Sequence, residues 1–341
     1  MSQPFAGSDI QPPLLELRGL SKRFSLRKGF WGRDRIQLAA LRQVDCHLAP
    51  GEVLGLVGES GCGKSTLARC VLRLERADEG EVHFKGQDIL KLGRGELRRL
   101  RRSIQVVFQD PYASLNPRQR VGSIVTEPLR VHGLARGAEL RRREAQLLGQ
   151  VGIDPSLARR YPYEFSGGQR QRISIARALA LSPELLIADE PVSALDVSVQ
   201  AQILGLLAAL RAELGLALLI ISHDLAVMRQ VCDRVAVMYL GQIVETAPSE
   251  ELFSRPRHPY TQALLEAVPR AVPGVRRARV GLLGDPPSAA SIPSGCPFHP
   301  RCPQALPECA REEPPEIPAG ALRGARCLLP AAQAGEVPPA S

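Results

Sequence analysis

The sequence has few aromatic residues, no long apolar run and no recognisable leader. Phe, Trp and Tyr make up 4% of the 341 residues, which leaves little material for the aromatic platforms on which single-stranded nucleic acids stack. No apolar stretch approaches the roughly 20 residues that a membrane-spanning helix needs. Residues 1–13 lack a basic start followed by an apolar run, so they do not match a secretory signal. We therefore expect the chain to remain in the cytoplasm, alone or attached to a protein that spans the membrane.

Lysine is scarce within a basic composition. The net charge is +9, and only five of the 44 basic residues are lysines. A basic surface attracts nucleic acid or anionic lipid, whereas a GC-rich genome produces the same arginine bias with no such partner. The composition alone leaves both explanations open.

Eight cysteines are distributed unevenly, and four of them fall within the last 46 residues. In a reducing compartment such a group favours a metal over disulfides. The spacing C-x5-C-x6-C-x17-C lacks the C-x2-C pairs of a zinc ribbon, while four thiolates can hold a [4Fe–4S] cluster at looser spacing. A cluster, a zinc ion and free thiols therefore remain open for Cys296, Cys302, Cys309 and Cys327.

Strands and helices alternate along most of the chain. Short apolar runs predict strands at residues 14–17, 53–57, 82–84, 185–188, 217–221 and 235–239. Helical patterns predict helices at residues 64–74, 139–151, 169–180, 197–214 and 225–232. This alternation predicts an α/β fold with a mostly parallel sheet covered by helices on both faces.

Changes in composition suggest where the chain divides. Residues 1–13 are polar and predicted to be flexible. Residues 14–255 carry the strand–helix pattern, interrupted by an Arg-rich helical insertion at 110–165 that extends with the next helix to about 180. Residues 256–341 are rich in Pro and Gly and poor in core material, so this C-terminal extension needs a staple or a partner surface.

The strongest motif lies between a predicted strand and a predicted helix, where residues 58–66 match G-x-x-x-x-G-K-[ST]. Its glycines let successive N–H groups point at phosphate oxygens, and the helix N-terminus adds a favourable field for an anion. Lys64 supplies a charge for the β- and γ-phosphates, and the Ser65 hydroxyl is suited to Mg²⁺. The candidate nucleotide-binding residues are Gly58, Glu59, Ser60, Gly61, Cys62, Gly63, Lys64, Ser65 and Thr66.

A second motif places two carboxylates, Asp189 and Glu190, at the end of an apolar strand. Ligands of α/β sheets sit beyond the carboxyl ends of strands. Asp189 is therefore placed to hold Mg²⁺, directly or through water. Glu190 is suited to orient the attacking water as general base.

A third motif, Ser166, Gly167, Gly168 and Gln169, opens a predicted helix. Two glycines before a helix make another N-terminus ready for an anion. The chain could bind two nucleotides, or contribute each half to a different composite site across a dimer. The spacing alone does not decide between these arrangements.

Taken in order, the motifs resemble those of the ATP-binding cassette (ABC) ATPases. The resemblance covers residues 14–245 and rests on GESGCGKST, Gln109, FSGGQ, LLIADE, SALD and His223. It implies a P-loop NTPase with a mostly parallel core sheet, an antiparallel β subdomain, a helical subdomain and a short irregular C-terminal extension. It also implies ATP and Mg²⁺, with ATP clamped between the Gly-rich loop of one protomer and the FSGGQ signature of another.

The resemblance further implies roles for single residues. Ser166, Gly167, Gly168 and Gln169 resemble the signature that caps the γ-phosphate of a partner's ATP. Gln109 resembles the glutamine that reaches Mg²⁺ and the attacking water, and His223 resembles the switch histidine that contacts the γ-phosphate.

Two further positions complete the resemblance. Asp196 ends the SALD segment that resembles the dimer-contact loop. Phe24 stands where the family places an aromatic ring against adenine, although residues 25–37 are expected to enlarge the loop after it, and Phe30 and Trp31 compete for that role.

Within the family, the chain resembles the ATPases of oligopeptide and dipeptide importers. The segments 110–118, 257–265 and 284–302 carry this likeness. The motif SLNPR at residues 114–118 favours the F type of the two ATPase subunits. The resemblance implies a D-type partner ATPase, two membrane permease subunits, an extracytoplasmic solute-binding protein, a position on the cytoplasmic face of the bacterial inner membrane, and a [4Fe–4S] cluster on the four cysteines.

Other functions remain as alternatives. The same scaffold would serve import of nickel or another small solute, because the ATPase does not touch the solute. A soluble ABC ATPase acting on nucleic acid usually carries two cassettes or long coiled coils, and neither is present. An exporter usually fuses the cassette to membrane helices. We therefore expect no nucleic-acid partner.

Overall fold

The structure, a computed structural model, describes residues 12–28, 34–110, 114–193, 195–267, 284–318 and 322–329. Within these residues the α/β fold expected from the sequence is confirmed: parallel strands form the middle of the central sheet, and a second sheet is antiparallel. Helices pack on one face of the central sheet, and the helix Lys64–Val71 and the antiparallel sheet pack on the other.

An eight-stranded sheet occupies the centre of the described chain. Its middle strands are parallel to one another, and antiparallel strands extend it at one edge. In spatial order the strands are β11 (Ile317–Pro318), β12 (Gly324–Ala325), β10 (Gln242–Pro248), β9 (Arg234–Tyr239), β3 (Val53–Val57), β8 (Ala217–Ser222), β7 (Leu185–Asp189) and β6 (Ile104–Val107).

A four-stranded antiparallel sheet forms the β subdomain, in the order β2 (Asp34–Leu48), β1 (Leu15–Lys28), β4 (Glu79–Phe84) and β5 (Gln87–Asp88). The expectation that residues 25–37 enlarge a loop is wrong for most of them. Strands β1 and β2 stay paired as far as Lys28 and Asp34. Pairing with a partner strand supplies the order that the local pattern does not reveal.

The five helices predicted from the sequence are present with small differences at their ends, and the described residues contain four more that were not predicted. Helix α1 ends at Val71 rather than at residue 74, because Arg73 adopts a left-handed conformation with φ of 50°. The helices are α1 (Lys64–Val71), α2 (Arg94–Ser103), α3 (Val121–Val131), α4 (Gly137–Gln150), α5 (Gly167–Leu179), α6 (Val197–Leu214), α7 (Leu225–Val231), α8 (Ser249–Ser254) and α9 (Pro259–Ala267). Of these, α2, α3, α8 and α9 were not predicted.

Helices α3, α4 and α5 form the helical insertion. Ile124, Leu148 and Ile173 are buried together in one hydrophobic cluster. Helix α5 also lies against β6 and α6, so the insertion is anchored to the central sheet through the helix that follows the FSGGQ signature.

Strand β3 shows why the central sheet has a core on both faces. All five of its residues are buried. Val53 and Val57 belong to the cluster shared with the helical insertion, whereas Leu54 and Leu56 belong to the cluster shared with the β subdomain. Side chains alternate across a strand, so a fully apolar run covers both faces.

The C-terminal extension contributes more core than its composition suggests. Tyr260 and Phe298 are fully buried and pack with Tyr239 of β9. The short strands β11 and β12 continue the central sheet beyond β10. A partner surface for the extension is thus supplied by the chain itself.

Helix α6 meets the length and composition of a membrane-crossing helix, by those measures only. Its buried leucines Leu204, Leu207 and Leu210 pack in the main hydrophobic cluster, and Arg211 near its end forms an ion pair with Asp233. One side of α6 is therefore packed into the core of the α/β fold.

Candidate nucleotide-binding site

Four adjacent parallel strands bring the sequence motifs to one edge of the central sheet. In the order β3, β8, β7 and β6, each strand is followed respectively by residues 58–66, His223, the end of LLIADE, and Gln109. Parallel neighbours end on the same side, so segments far apart in sequence meet there. We call residues 58–66 the phosphate loop.

The path of the phosphate loop depends on two glycines. Gly58 and Gly63 have φ of 155° and 112°, conformations that residues with a Cβ rarely adopt. A Cβ at Gly58 would collide with the Met238 carbonyl oxygen, and one at Gly63 with the Ala40 carbonyl oxygen. Close packing and backbone conformation therefore both require glycine.

The ammonium of Lys64 lies over this loop. Its Nζ donates hydrogen bonds to the carbonyl oxygens of Gly58, at 2.7 Å, and Glu59, at 2.9 Å. The residue is buried, with 6% of its surface exposed. A positive charge held at the N-terminus of α1 can pair with phosphate oxygens arriving at the first turn of that helix.

Ser65 and Asp189 meet across the site. The Ser65 hydroxyl donates to Asp189 Oδ1 over 3.3 Å. Burial raises the pKa of Asp189, while the hydrogen bond from Ser65 works in the opposite direction. A hydroxyl beside a half-buried carboxylate is an oxygen-only donor set, which suits Mg²⁺.

Glu190 contacts the two other residues predicted to be catalytic, Gln109 and His223. Its Oε2 accepts a hydrogen bond from Gln109 Nε2 at 2.9 Å, and its Oε1 lies 3.2 Å from His223 Nδ1. Glu190 adopts a left-handed backbone conformation, with φ of 48°. Such a conformation costs a non-glycine residue on the order of 1 kcal/mol and is typical of functional sites.

The FSGGQ residues form a capped helix start. The Ser166 hydroxyl accepts from Gln169 N–H, and Gln169 Oε1 accepts from Ser166 N–H, which is a capping box. Both residues are exposed. Within the described residues, each of these side chains accepts from the backbone N–H of the other residue and not from the phosphate loop of the same chain.

The remaining predicted residues lie at the margins of the site. Asp196 is exposed and precedes α6. Phe24 lies in β1, with Lys22 Nζ 5.1 Å from its ring centroid. Phe30 and Trp31, the alternatives to Phe24, fall outside the described residues.

Two residues of the C-terminal extension reach the phosphate loop, which sequence reasoning did not anticipate. The Arg301 guanidinium forms an ion pair with the Glu59 carboxylate, and the Tyr260 hydroxyl accepts a hydrogen bond from Glu59 N–H. Arg301 is next to Cys302, but nothing in the local pattern indicates a partner 242 residues away.

The four C-terminal cysteines influence one another electrostatically. Burial is the main cause that raises the pKa of Cys296 to about 11 and of Cys327 to about 12, and the nearby cysteines raise both further. Cys296 N–H also donates to the Cys309 carbonyl. No group of three or more His, Cys, Asp or Glu side chains in the described part of the chain is close enough to hold a single metal ion.

Comparison with known proteins identifies two matching families. Residues 41–193 match the ABC transporter family, and residues 244–309 match the C-terminal region of the oligopeptide/dipeptide transporters.

Curated relatives resemble nearly the whole chain. It is 52% identical to the oligopeptide transport ATP-binding protein AppF of Bacillus subtilis, over 90% of this chain and 94% of that protein. It is 56% identical to the glutathione import ATP-binding protein GsiA of Salmonella paratyphi A, over 80% of this chain and 44% of that longer protein.

Solved structures share the fold. The cassette MJ0796, in a dimeric post-hydrolysis state bound to ADP and phosphate, has a TM-score of 0.60 and 30% identity over 69% of this chain and 98% of that one. CbiO1 of Clostridium perfringens, part of the cbiONQ transporter complex, has a TM-score of 0.62 and 28% identity over 72% and 92% of the two chains.

Proposed function

This chain belongs to the ABC transporter ATPases, and we propose that it is the ATP-hydrolysing subunit that energises import of peptides across the bacterial inner membrane. The observation that carries the proposal is the joint match of residues 41–193 to the ATPase family and of residues 244–309 to the oligopeptide/dipeptide transporter region. The relatives named for oligopeptide and glutathione import support peptides as the class of solute.

In the proposed site, ATP binds with its phosphates against the phosphate loop. Lys64 exchanges its bonds to the Gly58 and Glu59 carbonyls for β- and γ-phosphate oxygens. Ser65, Asp189 and Gln109 would provide oxygen ligands for Mg²⁺, and the ion would neutralise charge that builds up on the phosphates.

Glu190 acts on the water that attacks the γ-phosphate. Its carboxylate accepts the proton of that water as general base, and Gln109 and His223 hold it in place through their hydrogen bonds. His223 also turns towards the γ-phosphate. Catalysis therefore rests on positioning and electrostatics rather than on covalent chemistry of the protein.

Each ATP-binding site is completed by residues of a second ATPase subunit. Ser166, Gly167, Gly168 and Gln169 would cap the γ-phosphate of the partner's ATP, with Asp196 at the contact between subunits. The exposure of Ser166 and Gln169 supports this, as does Val197, which is 82% exposed beside Asp196. We propose a heterodimer with a D-type subunit, in which hydrolysis releases the contact and lets the two halves open.

The assembly includes two membrane permease subunits, and an extracytoplasmic binding protein delivers solute to them. The ATPase domain, residues 14–255, would dock at the cytoplasmic face of the membrane, with residues 256–341 as its C-terminal extension. Phe24 would stack on adenine. We infer no role for nucleic acid.

We propose that the four extension cysteines hold a [4Fe–4S] cluster rather than a zinc ion. They are near enough to raise one another's pKa, yet no set of described side chains is gathered tightly enough for a single ion. A cluster is larger than one ion and accepts four thiolates that are further apart. By linking the four cysteines, it would stabilise the fold of the extension.

Transport by the purified complex tests the proposal. The ATPase pair and its permeases are reconstituted in liposomes with the binding protein, and uptake of a labelled peptide mixture is followed with and without ATP. Uptake that requires ATP, and that is lost in a Lys64→Ala complex, is expected. Peptide uptake that proceeds equally without ATP, or ATP hydrolysis with no uptake of any peptide, would contradict it.

A further inference from the structure

Glu59 places a negative charge inside a loop that binds a polyanion. It directly follows Gly58, and its carbonyl oxygen is one of the two that hold Lys64. An unpaired carboxylate here would repel the triphosphate, and the repulsion would be strong because part of the surroundings is protein rather than water. The loop therefore needs a nearby positive charge to neutralise Glu59.

Arg301 supplies that charge from the C-terminal extension. Its Nη1 and Nη2 donate to Glu59 Oε2 and Oε1 at 2.7 and 3.0 Å, a bidentate pair. The Arg301 side chain is only 5% exposed and that of Glu59 is 23% exposed. Bidentate charge-assisted bonds of this kind fix orientation as well as charge.

A cluster of three aromatic rings holds the extension against the loop. Tyr239, Tyr260 and Phe298 pack with ring centroids 4.6 to 5.4 Å apart. The Tyr260 hydroxyl accepts from Glu59 N–H at 3.0 Å, and the Tyr239 hydroxyl lies 3.4 Å from Arg301 Nη1. Glu59 is thus fixed through both its backbone and its side chain.

The cysteine segment carries Arg301 to this position. Arg301 ends the short 3-10 turn His299–Arg301, and His299 N–H donates to the Cys296 carbonyl over 3.0 Å. Cys302 follows directly. The local fold of residues 296–302 therefore determines where the guanidinium lies.

We propose that Arg301 is a positioning residue for ATP: by neutralising Glu59 it removes a repulsion from the phosphate loop, and so makes ATP affinity depend on the C-terminal extension. This rests on the proposed role of residues 58–66 in binding ATP. The Arg301 guanidinium is bonded to Glu59 and Tyr239, neither of which is proposed to act on the attacking water, so its loss is expected to change KM for ATP and to leave kcat in place.

Nucleotide titration of the complex between this chain and the proposed D-type ATPase subunit tests the inference. Fluorescent ATP is titrated into wild type, R301A, E59Q and the double variant at about 0.1 M and about 1 M salt. R301A is expected to raise the Kd for ATP roughly five-fold or more at the lower salt, within the usual range of coupling between sites. At the higher salt the difference from wild type should shrink, because salt screens the repulsion between Glu59 and ATP. The double variant restores affinity because the repelling charge is gone.

Two controls separate this effect from unfolding or loss of the site. Arg323→Ala removes another arginine of the extension, one that pairs with Glu251 of α8 rather than with the loop, and should leave Kd unchanged. Lys64→Ala should abolish binding. If wild type itself does not bind ATP, the proposed function fails rather than this inference.

E59Q gives a result that does not depend on R301A folding. With Glu59 uncharged, Arg301 adds a net positive charge beside the loop, so ATP binds at least as tightly as to wild type. Weaker binding by E59Q, an unchanged Kd in folded R301A, or a R301A defect that the second substitution does not rescue would each overturn the inference.

Discussion

Gln109 donates a hydrogen bond to Glu190, with Nε2 and Oε2 2.9 Å apart although 81 residues separate the two in sequence. The contact follows from the sheet: Gln109 comes shortly after β6 and Glu190 directly after β7, and these two strands are parallel neighbours. His223 follows β8, on the other side of β7. The geometry of the proposed water site is therefore built into the strand order.

Glu190→Gln should remove ATP turnover while ATP binding survives. Gln can keep the contacts with Gln109 and His223 but cannot accept the proton of the attacking water. General-base catalysis contributes about 10² to 10⁴ in rate, so kcat should fall by at least the lower figure. Steady-state ATPase assays measure it, with exposed Glu213→Gln on α6 as the matched control. Hydrolysis at the wild-type rate in Glu190→Gln would refute the role of Glu190.

Ser65→Ala should raise the requirement for Mg²⁺. The Ser65 hydroxyl lies 3.3 Å from Asp189 Oδ1, and removing it takes away one oxygen of the proposed ion site. We expect the Mg²⁺ concentration for half-maximal ATPase activity to rise about ten-fold, the equivalent of one hydrogen bond to a charged group. Ser254→Ala, in α8, is the control. An identical Mg²⁺ dependence in Ser65→Ala would contradict the assignment.

The cysteine proposal predicts a coloured protein. Anaerobically purified protein should contain iron and show broad brown absorbance, and both should be lost on Cys302→Ser. Cys46→Ser, which changes a cysteine of the β subdomain, should retain both. A colourless preparation without iron would remove the cluster from the account, and zinc found in its place by elemental analysis would favour the alternative.

Buried His258 should make the protein less stable in mild acid. Burial lowers its pKa to about 4, and Nδ1 accepts a hydrogen bond from Tyr260 N–H. Since the folded pKa lies below the ordinary value of 6.5, neutral His258 contributes stability above about pH 6.5. That contribution is lost as pH falls towards about 4, by up to about 3 kcal/mol.

Comparison with His258→Asn isolates this contribution. Asn keeps an acceptor for Tyr260 N–H but does not titrate, so its free energy of unfolding should fall less than that of wild type between about pH 7 and about pH 5. The His258 N–H donates to Glu245, whose pKa is raised by burial and whose effect has the opposite sign. Glu245 is present in both proteins, so it cancels in the difference. Parallel pH curves would count against the role of His258.

Elements with clear local signals could be predicted from the sequence almost to the residue. Helix α6 begins at Val197 and ends at Leu214, as expected. Asp196 precedes its first residue, and Gly215 follows its last residue in a left-handed conformation with φ of 65°. An Asp before a helix and a Gly after it are common signals for the two ends. Strand β3 is likewise predicted by its short apolar run.

Long-range pairings could not be predicted from local patterns. Strands β11 and β12 have two residues each, and their place at the sheet edge depends on β12 pairing with β10 and on β11 pairing with β12. For the same reason, residues 25–28 and 34–37 pair at the end of the β1–β2 ladder where the sequence predicted a loop. The pair of Arg301 and Glu59 joins residues 242 positions apart, and a charge alone does not reveal its partner.

In the proposed mechanism, ATP joins this chain to the D-type ATPase subunit. The most direct test is the mass of the Glu190→Gln chain mixed with the D-type subunit, measured by light scattering after gel filtration with Mg²⁺, with and without ATP. The account predicts the mass of two joined subunits only when ATP is present, and its loss when Ser166 is also changed to Arg. A single-subunit mass with ATP bound, or a dimer that forms equally well without nucleotide, would contradict it.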